Sequence, residues 1–497
     1  MADPPTIDAK LYIGIDFNAG TTGLSAILLP SNQNRSSFDP IPIRIPLHNR
    51  NSTIYTCLTR LPNNPLTGQF GWSVPAKPYP WLLFTAGAPL THLQLSLNHP
   101  SSIRADHDCY REINRIHVSN YSPGTSKQRS IETCAQFLRR FWTLGIQRTG
   151  GTSLPGWQNF TSIITTVTGN EAQANAIDPI EEVELPNARY RITKVQFYFA
   201  APGPYADPGT AAFRNLETAI QRSGITRAYT ADDKARITDE DTNRKVGYTI
   251  FHVCHAAAVG TLCLFGGIQR YKQDPTEPIK KGEGVVLLNI GEMNIEMAAY
   301  KFRSKSKEEE GKQLRFRLIA NPHHLESGEL QARKLFEALV ESRLDKSPGN
   351  QNDPRVWMAD ADQLWLQLRN MPFDLLNDTH QRYRIHTREN TRADSFSIAG
   401  QTIVAYINEV TNYWLEEINN YFDSILADEK QIKPDKLKYL VVTGTFANFP
   451  LFIERLKEFR KDLPHLEVIV PVHAADAACL GAALYAYNNR LFRYIDE

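Results

Sequence analysis

Two stretches of the chain combine residue types that can bind phosphate with the pattern of a strand, a turn and a second strand. The first stretch is Tyr12–Leu29, and its turn contains Asp16, Gly20, Thr21 and Thr22. Turns of this composition can present several backbone N–H groups to an anion, and glycine lets the backbone approach a ligand closely. This stretch therefore predicts a phosphate-binding turn between two buried strands.

The second stretch, Val286–Phe302, has the same pattern but a changed turn. It carries Asn289 where a turn that organises phosphate and metal is expected to carry Asp, and it keeps few glycines. A hairpin that occurs twice predicts a duplicated fold in which the two copies share a cleft.

The composition is that of an ordinary globular protein. The 497 residues suffice for two or three domains or two large lobes, and 42% hydrophobic with 22% charged residues are typical values. A formal net charge of +1 gives no bulk electrostatic reason to bind nucleic acid or an anionic membrane, so we expect neither partner. The first residues form no apolar signal core, and the segment 250–268 predicts a buried helix rather than a membrane span.

The six cysteines are scattered and form no CxxC pair. This spacing argues against a zinc or redox motif. Together with the polar N-terminus, it predicts free thiols and a cytoplasmic location.

The elements that position the turns are predicted from the spacing of apolar residues and from helix and turn signals. Hairpins are predicted at 11–29 and 286–302, strands at 191–200 and 437–442, and helices at 126–147, 210–223, 328–345, 402–428, 451–460 and 474–491. The charged segment 301–317 predicts an exposed hairpin tip, and its residues 303–314 are a weak candidate for binding a protein partner. The polar segment 269–284 predicts a connector between two lobes, 1–268 and 285–473, with the helix of 474–497 returning to the first lobe.

The order of the motifs along the chain points to a family. The turn of Asp16 comes first, Asn289-x-Gly291 follows much later, and the chain closes with Leu440–Pro450 and Ala475–Tyr485. This succession resembles the nucleotide-binding domain of the 70-kilodalton heat-shock chaperones, within the actin and sugar-kinase superfamily. It is similar to the divergent chaperone-like ATPases of filamentous fungi.

The resemblance implies an α/β, two-lobed actin-like ATPase fold, made of duplicated ribonuclease-H-like domains around a central nucleotide cleft. It also implies ATP and Mg²⁺ as cofactors. In the family, the first turn holds the β- and γ-phosphates, which gives Gly20, Thr21 and Thr22 a phosphate-binding role here. Asp16 takes the place of the aspartate that orders metal-bound water, so it is the metal candidate and a catalytic candidate. The insertion of Asn18 and Ala19 lengthens this turn.

The second turn departs from the family pattern Asp-x-Gly-Gly-Gly-Thr-x-Asp. Asn289 and Gly291 are the positions that the resemblance assigns to the cofactor, but Glu292 replaces a glycine and brings a negative charge towards the phosphates. Met293 replaces a second glycine, and Glu296 can serve where the family has Asp. Glu292 and Glu296 are therefore catalytic candidates, and the alternative is a turn that has only a structural role.

The resemblance also predicts an adenosine turn. Gly444 permits close approach to the base or ribose, and Thr445 stands where a second glycine is usual. A connection between strand and helix without any ligand is the alternative.

One catalytic group of the family is missing. The family places the glutamate of a Glu-Pro-x-Ala-Ala pattern near the attacking water, and this chain has Val253 in the aligned run. On a regular helix, His252 and His255 would share a face, which makes His255 a catalytic candidate, although packed core histidines are the simpler interpretation. The side chains of the adjacent His323 and His324 are expected to diverge, so we assign them no metal role.

Three functions stay open. The first is a stand-alone chaperone-like ATP-binding domain with weakened or lost hydrolysis that signals by lobe closure. The second is an enzyme that has reused the cleft for ATP-dependent or acid–base chemistry on a small molecule, as in the specialised metabolism of fungal relatives. The third is a nucleotide-free scaffold. The chain ends at Glu497 without the family's peptide-binding domain, so we do not expect it to clamp peptides.

Overall fold

The computed structural model shows a mixed α/β protein. The residues that it describes are 6–18, 20–30, 43–44, 53–55, 93–98, 113–114, 116–117, 124–147, 189–225, 245–253, 280–303, 315–344, 361, 364–365, 367–368, 371, 382–386, 395–427, 431–459, 463–471 and 474–487.

The first sheet is built around the first predicted hairpin. Its strands are β1 (Thr6–Phe17), β2 (Thr21–Pro30), β3 (Ile43–Arg44), β4 (Thr53–Tyr55), β5 (Arg189–Ala201) and β6 (Lys245–His252). The order is β3-β2-β1-β5-β6, with β4 also paired to β2. Strands β1, β2 and β3 are antiparallel neighbours, whereas β5 and β6 run parallel to β1.

The second sheet is built around the second predicted hairpin. The strands described after β6 are β7 (Gly284–Ile290), β8 (Ile295–Arg303), β9 (Arg315–Leu325), β10 (Arg382–His386), β11 (Ser395–Ala399), β12 (Leu437–Thr443) and β13 (Glu467–Ile469). The second sheet has the order β13-β12-β7-β8-β9, and β10 and β11 form a separate antiparallel pair. Here β7, β8 and β9 are antiparallel neighbours, and β12 and β13 run parallel to β7.

The two sheets therefore have the same strand order and the same strand directions. In each, the first strand of a hairpin is central, with an antiparallel meander on one side and two parallel strands on the other. Such a central strand is covered on both faces and reads as a nearly continuous apolar run, which is why every residue of β7 is buried. Both predicted hairpins are confirmed, as is the pairing of the strands that flank 304–314.

The bounds of seven α-helices are given by the described part of the chain. They are α1 (Ser126–Gln147), α2 (Gly203–Ala206), α3 (Ala211–Ser223), α4 (Glu329–Leu344), α5 (Gly400–Leu426), α6 (Pro450–Phe459) and α7 (Ala477–Tyr487). The bounds of α3 follow from its caps, because Thr210 accepts a hydrogen bond from the N–H of Phe213 and Gly224 ends the helix with a φ of 78°.

Three apolar clusters hold these layers together. One lies between the first sheet and helices α1 and α3, and another lies between the second sheet and helices α4, α5 and α6. The third cluster lies between the two sheets and includes Ala482 of α7, Tyr12 of β1 and Leu287 of β7. Helix α7 thus shares one apolar cluster with both sheets, and its small side chains allow close packing there.

One element differs from its prediction. The segment 250–268 does not begin as a helix, because Ile250, Phe251 and His252 complete strand β6 and pair with β5. The parallel pairing of Phe251 with Ala200 gives this end of the segment a sheet partner that outweighs its local helix signals. Residues 254–268 lie outside the described part, and none of the described helices is long and apolar enough to span a membrane.

Candidate site between the two hairpin turns

The two hairpin turns lie against each other. A Cβ placed on Gly20 of the first turn would lie 1.4 Å from Oε2 and 2.7 Å from Cβ of Glu292 in the second turn. Real Cβ atoms do not approach other atoms so closely, so only glycine fits at position 20 while Glu292 keeps this position. The carboxylate of Glu292 therefore covers the backbone of the first turn.

Asp16 lies beside this contact, near the carboxyl end of β1. It is 8% exposed, and its Oδ1 accepts a hydrogen bond of 2.6 Å from Nδ2 of Asn18. Burial raises the pKa of Asp16 well above its usual value of 3.8, and the negative charges of Glu296 and Asp476 raise it further. Burial and the two neighbouring carboxylates thus both favour the protonated, neutral form of Asp16.

Sequence reasoning missed Asp476 as a site residue. It is 8% exposed, and it ends a short 3-10 helix, Ala474–Asp476, directly before α7. A single carboxylate in an otherwise apolar, alanine-rich segment was the available signal, because a buried acid at a helix N-terminus needs a partner or a ligand.

Glu296 projects from β8 into the space between the sheets and is 2% exposed. Its Oε1 accepts a hydrogen bond from the backbone N–H of Gly203 and lies 3.5 Å from Nδ1 of His324. Burial alone raises the pKa of Glu296, but the interactions with His324, His252 and the Gly203 N–H outweigh it, so the pKa is lower than the usual 4.5. The pKa of Glu296 is therefore shifted in the opposite direction to that of Asp16, which favours the ionised form of Glu296.

The adjacent histidines of β9 point to opposite faces of their strand, as predicted. A Cβ on Gly203 would lie 3.0 Å from Cγ of His324, so this ring is directed towards the first sheet. Nε2 of His323 lies 3.6 Å from Oε2 of Glu417, and its ring stacks on Tyr421, both of which belong to α5. His324 is a site residue that the sequence did not reveal, because no spacing motif links it to Glu296.

The prediction for the histidine pair 252 and 255 is wrong in its premise. His252 is the last residue of strand β6 and not part of a helix, and its charge acts on Glu296. His255 lies outside the described residues.

Asn289 connects two strands of the second sheet. It is 3% exposed, and its Oδ1 accepts a hydrogen bond of 3.1 Å from the hydroxyl of Thr443, its register partner in β12. An amide is neutral, so this position offers no negative charge to a metal ion. The contact with Thr443 favours the structural interpretation of Asn289.

The second turn is also held from behind by the start of α4. The N–H of Gly291 donates to the carbonyl of Asn294 within the turn. The N–H groups of Glu329 and Leu330 donate to the carbonyls of Gly291 and Glu292 at 3.1 and 2.9 Å. These bonds fix the backbone of the turn, so adjustment there is left to side chains.

Gly444 has a conformation and a packing that demand glycine. Its φ is 94°, and a Cβ would lie 2.2 Å from the carbonyl oxygen of Ile290. Its N–H donates to the carbonyl of Ala474, and the N–H of Phe446 donates to that of Ile290. The close approach made by Gly444 is therefore to β7, while Thr445 beside it is half-buried.

The two threonines of the first turn differ in exposure. Thr22 is fully buried, whereas Thr21 is half-buried. Only Thr21 thus has a side chain that is partly open at the surface of the turn.

The cofactors that the resemblance implies fit this site unequally. Magnesium keeps several waters and needs only one or two protein carboxylates, which Asp16 and Asp476 can supply. Within the described ranges, no group of three or more His, Cys, Asp or Glu side chains is placed to hold a metal by itself. A phosphate on the first turn does not fit while the carboxylate of Glu292 covers Gly20.

Comparison with known proteins adds no relative, because neither a protein-family model nor a curated protein matches the chain. The distinguishing features of the site are its two contacting turns and the buried carboxyl groups of Asp16, Glu296 and Asp476.

Proposed function

We propose that the chain is a two-lobed, actin-like domain of duplicated ribonuclease-H-like units that binds ATP with Mg²⁺ and hydrolyses it weakly or not at all. One observation carries the proposal. The two sheets share strand order and strand directions, and the first hairpin turn of one lies on the first hairpin turn of the other. The meeting of equivalent turns in a duplicated fold supports a ligand cleft at that junction.

The residues divide the proposed ligand between them. Asp16 and Asp476 hold the metal and its waters, and Gly20, Thr21 and Thr22 hold phosphate. Gly444 and Thr445 flank the adenosine end. For this arrangement to form, the carboxylate of Glu292 has to leave Gly20, which rotation about the χ angles of Glu292 can achieve without moving its Cβ.

Hydrolysis is weak in this proposal because two catalytic groups are absent from their expected positions. Asn289 is neutral and bonded to Thr443, and Val253 is buried and apolar. Loss of a general base or of a metal-organising carboxylate removes about 10²–10⁴-fold in rate. Nucleotide then acts by shifting the population of open and closed lobes, which a protein partner can recognise.

Calorimetric titration with ATP tests this proposal. We expect the wild-type protein to bind ATP more tightly with Mg²⁺ than without it, and Asp16→Asn to lose the Mg²⁺-dependent part while it keeps the shape of the side chain. Glu454→Gln, an exposed change on α6, serves as the control. No binding of ATP under any condition would reject the proposal and favour a nucleotide-free scaffold.

A second candidate is an enzyme that performs acid–base chemistry on a small molecule. The observation that favours it is the opposite direction of two pKa shifts, since the pKa of Asp16 is raised and that of Glu296 is lowered. Neighbouring carboxyl groups with such a split can act as general acid and general base. In this case ATP does not bind, and Asp16→Asn and Glu296→Gln each abolish turnover of the substrate.

A further inference from the structure

We infer that Glu292 is an internal latch, which closes the two hairpin turns on each other without a ligand and competes with an anionic ligand for the first turn. The inference deepens the proposed function and rests on it for the identity of the ligand. A bound ligand usually closes such a cleft. Here the carboxylate of Glu292 closes the two turns on each other without a ligand.

The carboxylate of Glu292 occupies the position on the first turn that an anionic ligand would take. The Oε2 of Glu292 lies where a Cβ of residue 20 would be, so the carboxylate is seated directly on the glycine backbone. Gly20 is buried beneath it, whereas Glu292 itself is half-buried. The side chain thus covers the first turn and keeps a route back to solvent.

The backbone of Glu292 is held in place by the start of α4, so it does not move when the side chain rotates. Its carbonyl accepts a hydrogen bond of 2.9 Å from the N–H of Leu330, and a Cβ on Gly328 would lie 2.6 Å from the same carbonyl oxygen. The turn is therefore packed tightly against the start of α4. Opening of the latch is consequently a rotation of one side chain on a fixed turn.

A second contact of the same kind lies nearby. Glu296, four residues further along the chain, accepts a hydrogen bond from the backbone N–H of Gly203 in the first half of the chain. Two glutamates of the second hairpin thus bind the first half of the chain at two glycines, Gly20 and Gly203. Glu296 is buried and ionised, so it anchors the contact, and the half-buried Glu292 is the part that can move.

The latch has a direct consequence for affinity. A phosphate that enters the first turn meets a carboxylate of the same charge at contact distance, which is unfavourable until Glu292 rotates away. The apparent dissociation constant is raised by the reciprocal of the fraction of molecules that are open. Removal of the carboxylate should therefore strengthen the binding of an anionic ligand rather than weaken it.

Titration of ATP with Mg²⁺ into four proteins tests the latch through affinity. The proteins are the wild type, Glu292→Ala, Glu292→Gln and the control Glu454→Ala, which removes one exposed negative charge from α6. We expect the dissociation constant to fall by about tenfold or more for Glu292→Ala, because a latch closed in nine molecules of ten costs that factor. The dissociation constant of Glu292→Gln should lie between those of the wild type and Glu292→Ala. The control should have the dissociation constant of the wild type. Equal or weaker binding by Glu292→Ala than by a wild type that binds ATP would overturn the latch.

Hydrogen exchange without any ligand separates the latch from the proposed function. We expect the amides of residues 16–18 and 20–22 to exchange several-fold faster in Glu292→Ala than in the wild type, with no change in Glu454→Ala. If exchange accelerates but no variant binds ATP, the latch stands and the nucleotide proposal fails. If exchange is unchanged, the latch is wrong whatever ATP does.

Discussion

Glu296 of β8 accepts a hydrogen bond from the backbone N–H of Gly203, which follows β5, so a buried carboxylate joins the second sheet to the first. The same carboxylate raises the pKa of Asp16 by its negative charge. A contact that holds the two halves of the chain together is thereby coupled to the ionisation of the candidate site.

The raised pKa of Asp16 predicts that the folded protein becomes less stable as pH rises. Its pKa is raised in the folded state, so its favourable contribution is full below its unfolded pKa of about 3.8 and is lost as pH rises through the folded value. Asp16→Asn is neutral at every pH. We therefore expect the difference in unfolding free energy, variant minus wild type, to increase with pH above about 4 in urea titrations.

The lowered pKa of Glu296 predicts the opposite trend, a folded protein that becomes less stable as pH falls. Its pKa is lowered in the folded state, so its contribution is present above the unfolded value of about 4.5 and is lost as pH falls through the folded value. Glu296→Gln should cost about 1–3 kcal/mol at neutral pH, because it removes a charged hydrogen-bond acceptor, and less in acid. The same urea titrations measure it, and pH curves for this variant and Asp16→Asn that run parallel to each other would contradict both predictions.

Gly444→Ala should be strongly destabilising. The new Cβ would meet three backbone atoms of Ile290 within 2.2 to 2.8 Å, and the φ of 94° is strained for alanine. Gly224→Ala is the matched control, since its φ is 78° but a Cβ there meets nothing within 4 Å. We expect about 1 kcal/mol for the control from strain alone and at least about 3 kcal/mol for Gly444→Ala, measured by urea unfolding. Equal losses would show that the overlap with β7 is relieved at no cost.

Gly14→Ala should disturb the docking of α7. A Cβ on Gly14 would lie 2.1 Å from the carbonyl oxygen of Cys479, to which the hydroxyl of the buried Ser25 also donates at 2.6 Å. We expect a loss of about 2–3 kcal/mol, since backbone has to move to relieve the overlap. Gly209→Ala, where the nearest atom is 3.2 Å away on the exposed Asp207, should cost less than about 1 kcal/mol. Thermal unfolding of both variants measures these losses of stability. A loss for Gly14→Ala as small as that for Gly209→Ala would mean that α7 packs less tightly on β1 than the structure indicates.

We expect the loss of the Arg455 side chain to destabilise the protein more than the loss of a neighbouring surface ion pair. Its Nη1 donates to Oγ1 of the fully buried Thr411 at 2.8 Å and to Oδ1 of Asn408 at 3.1 Å, which ties α6 to α5. Arg455→Ala should cost about 1–3 kcal/mol, because it leaves the buried hydroxyl without this donor. Lys457→Ala removes the exposed pair with Glu454 and should cost less than about 0.5 kcal/mol. Urea unfolding compares the two, and similar values would show that the Arg455 contacts are no stronger than a surface pair.

The local elements could be read from the sequence because their signals lie within a few residues. The spacing of apolar side chains predicts α1 over Ser126–Gln147, and the structure has the same bounds. Thr210 and Gly224 mark the two ends of α3 as expected. Both free cysteines of the described part, Cys134 and Cys479, are buried thiols, in agreement with the prediction.

The errors arose where a distant partner decides. His252 carries helix-like neighbours in sequence, but pairing with Ala201 of β5 makes it a strand residue. His324 shows no motif, yet the strand geometry of β9 brings its ring to Glu296. The sequence predicts a close approach at Gly444 but not its partner there, which is the backbone of Ile290, and the adenosine role of Gly444 stays a prediction.

The sequence by itself determined the two hairpins and their turn residues, because apolar runs and turn-forming residues act locally. Only the tertiary structure decided which groups meet, as Glu292 meets Gly20 and Glu296 meets Gly203. The ionisation of Asp16 likewise depends on Asp476, at the far end of the chain. Burial and charge–charge interaction depend on distance in space, and that distance is set only when the two sheets and α7 pack together.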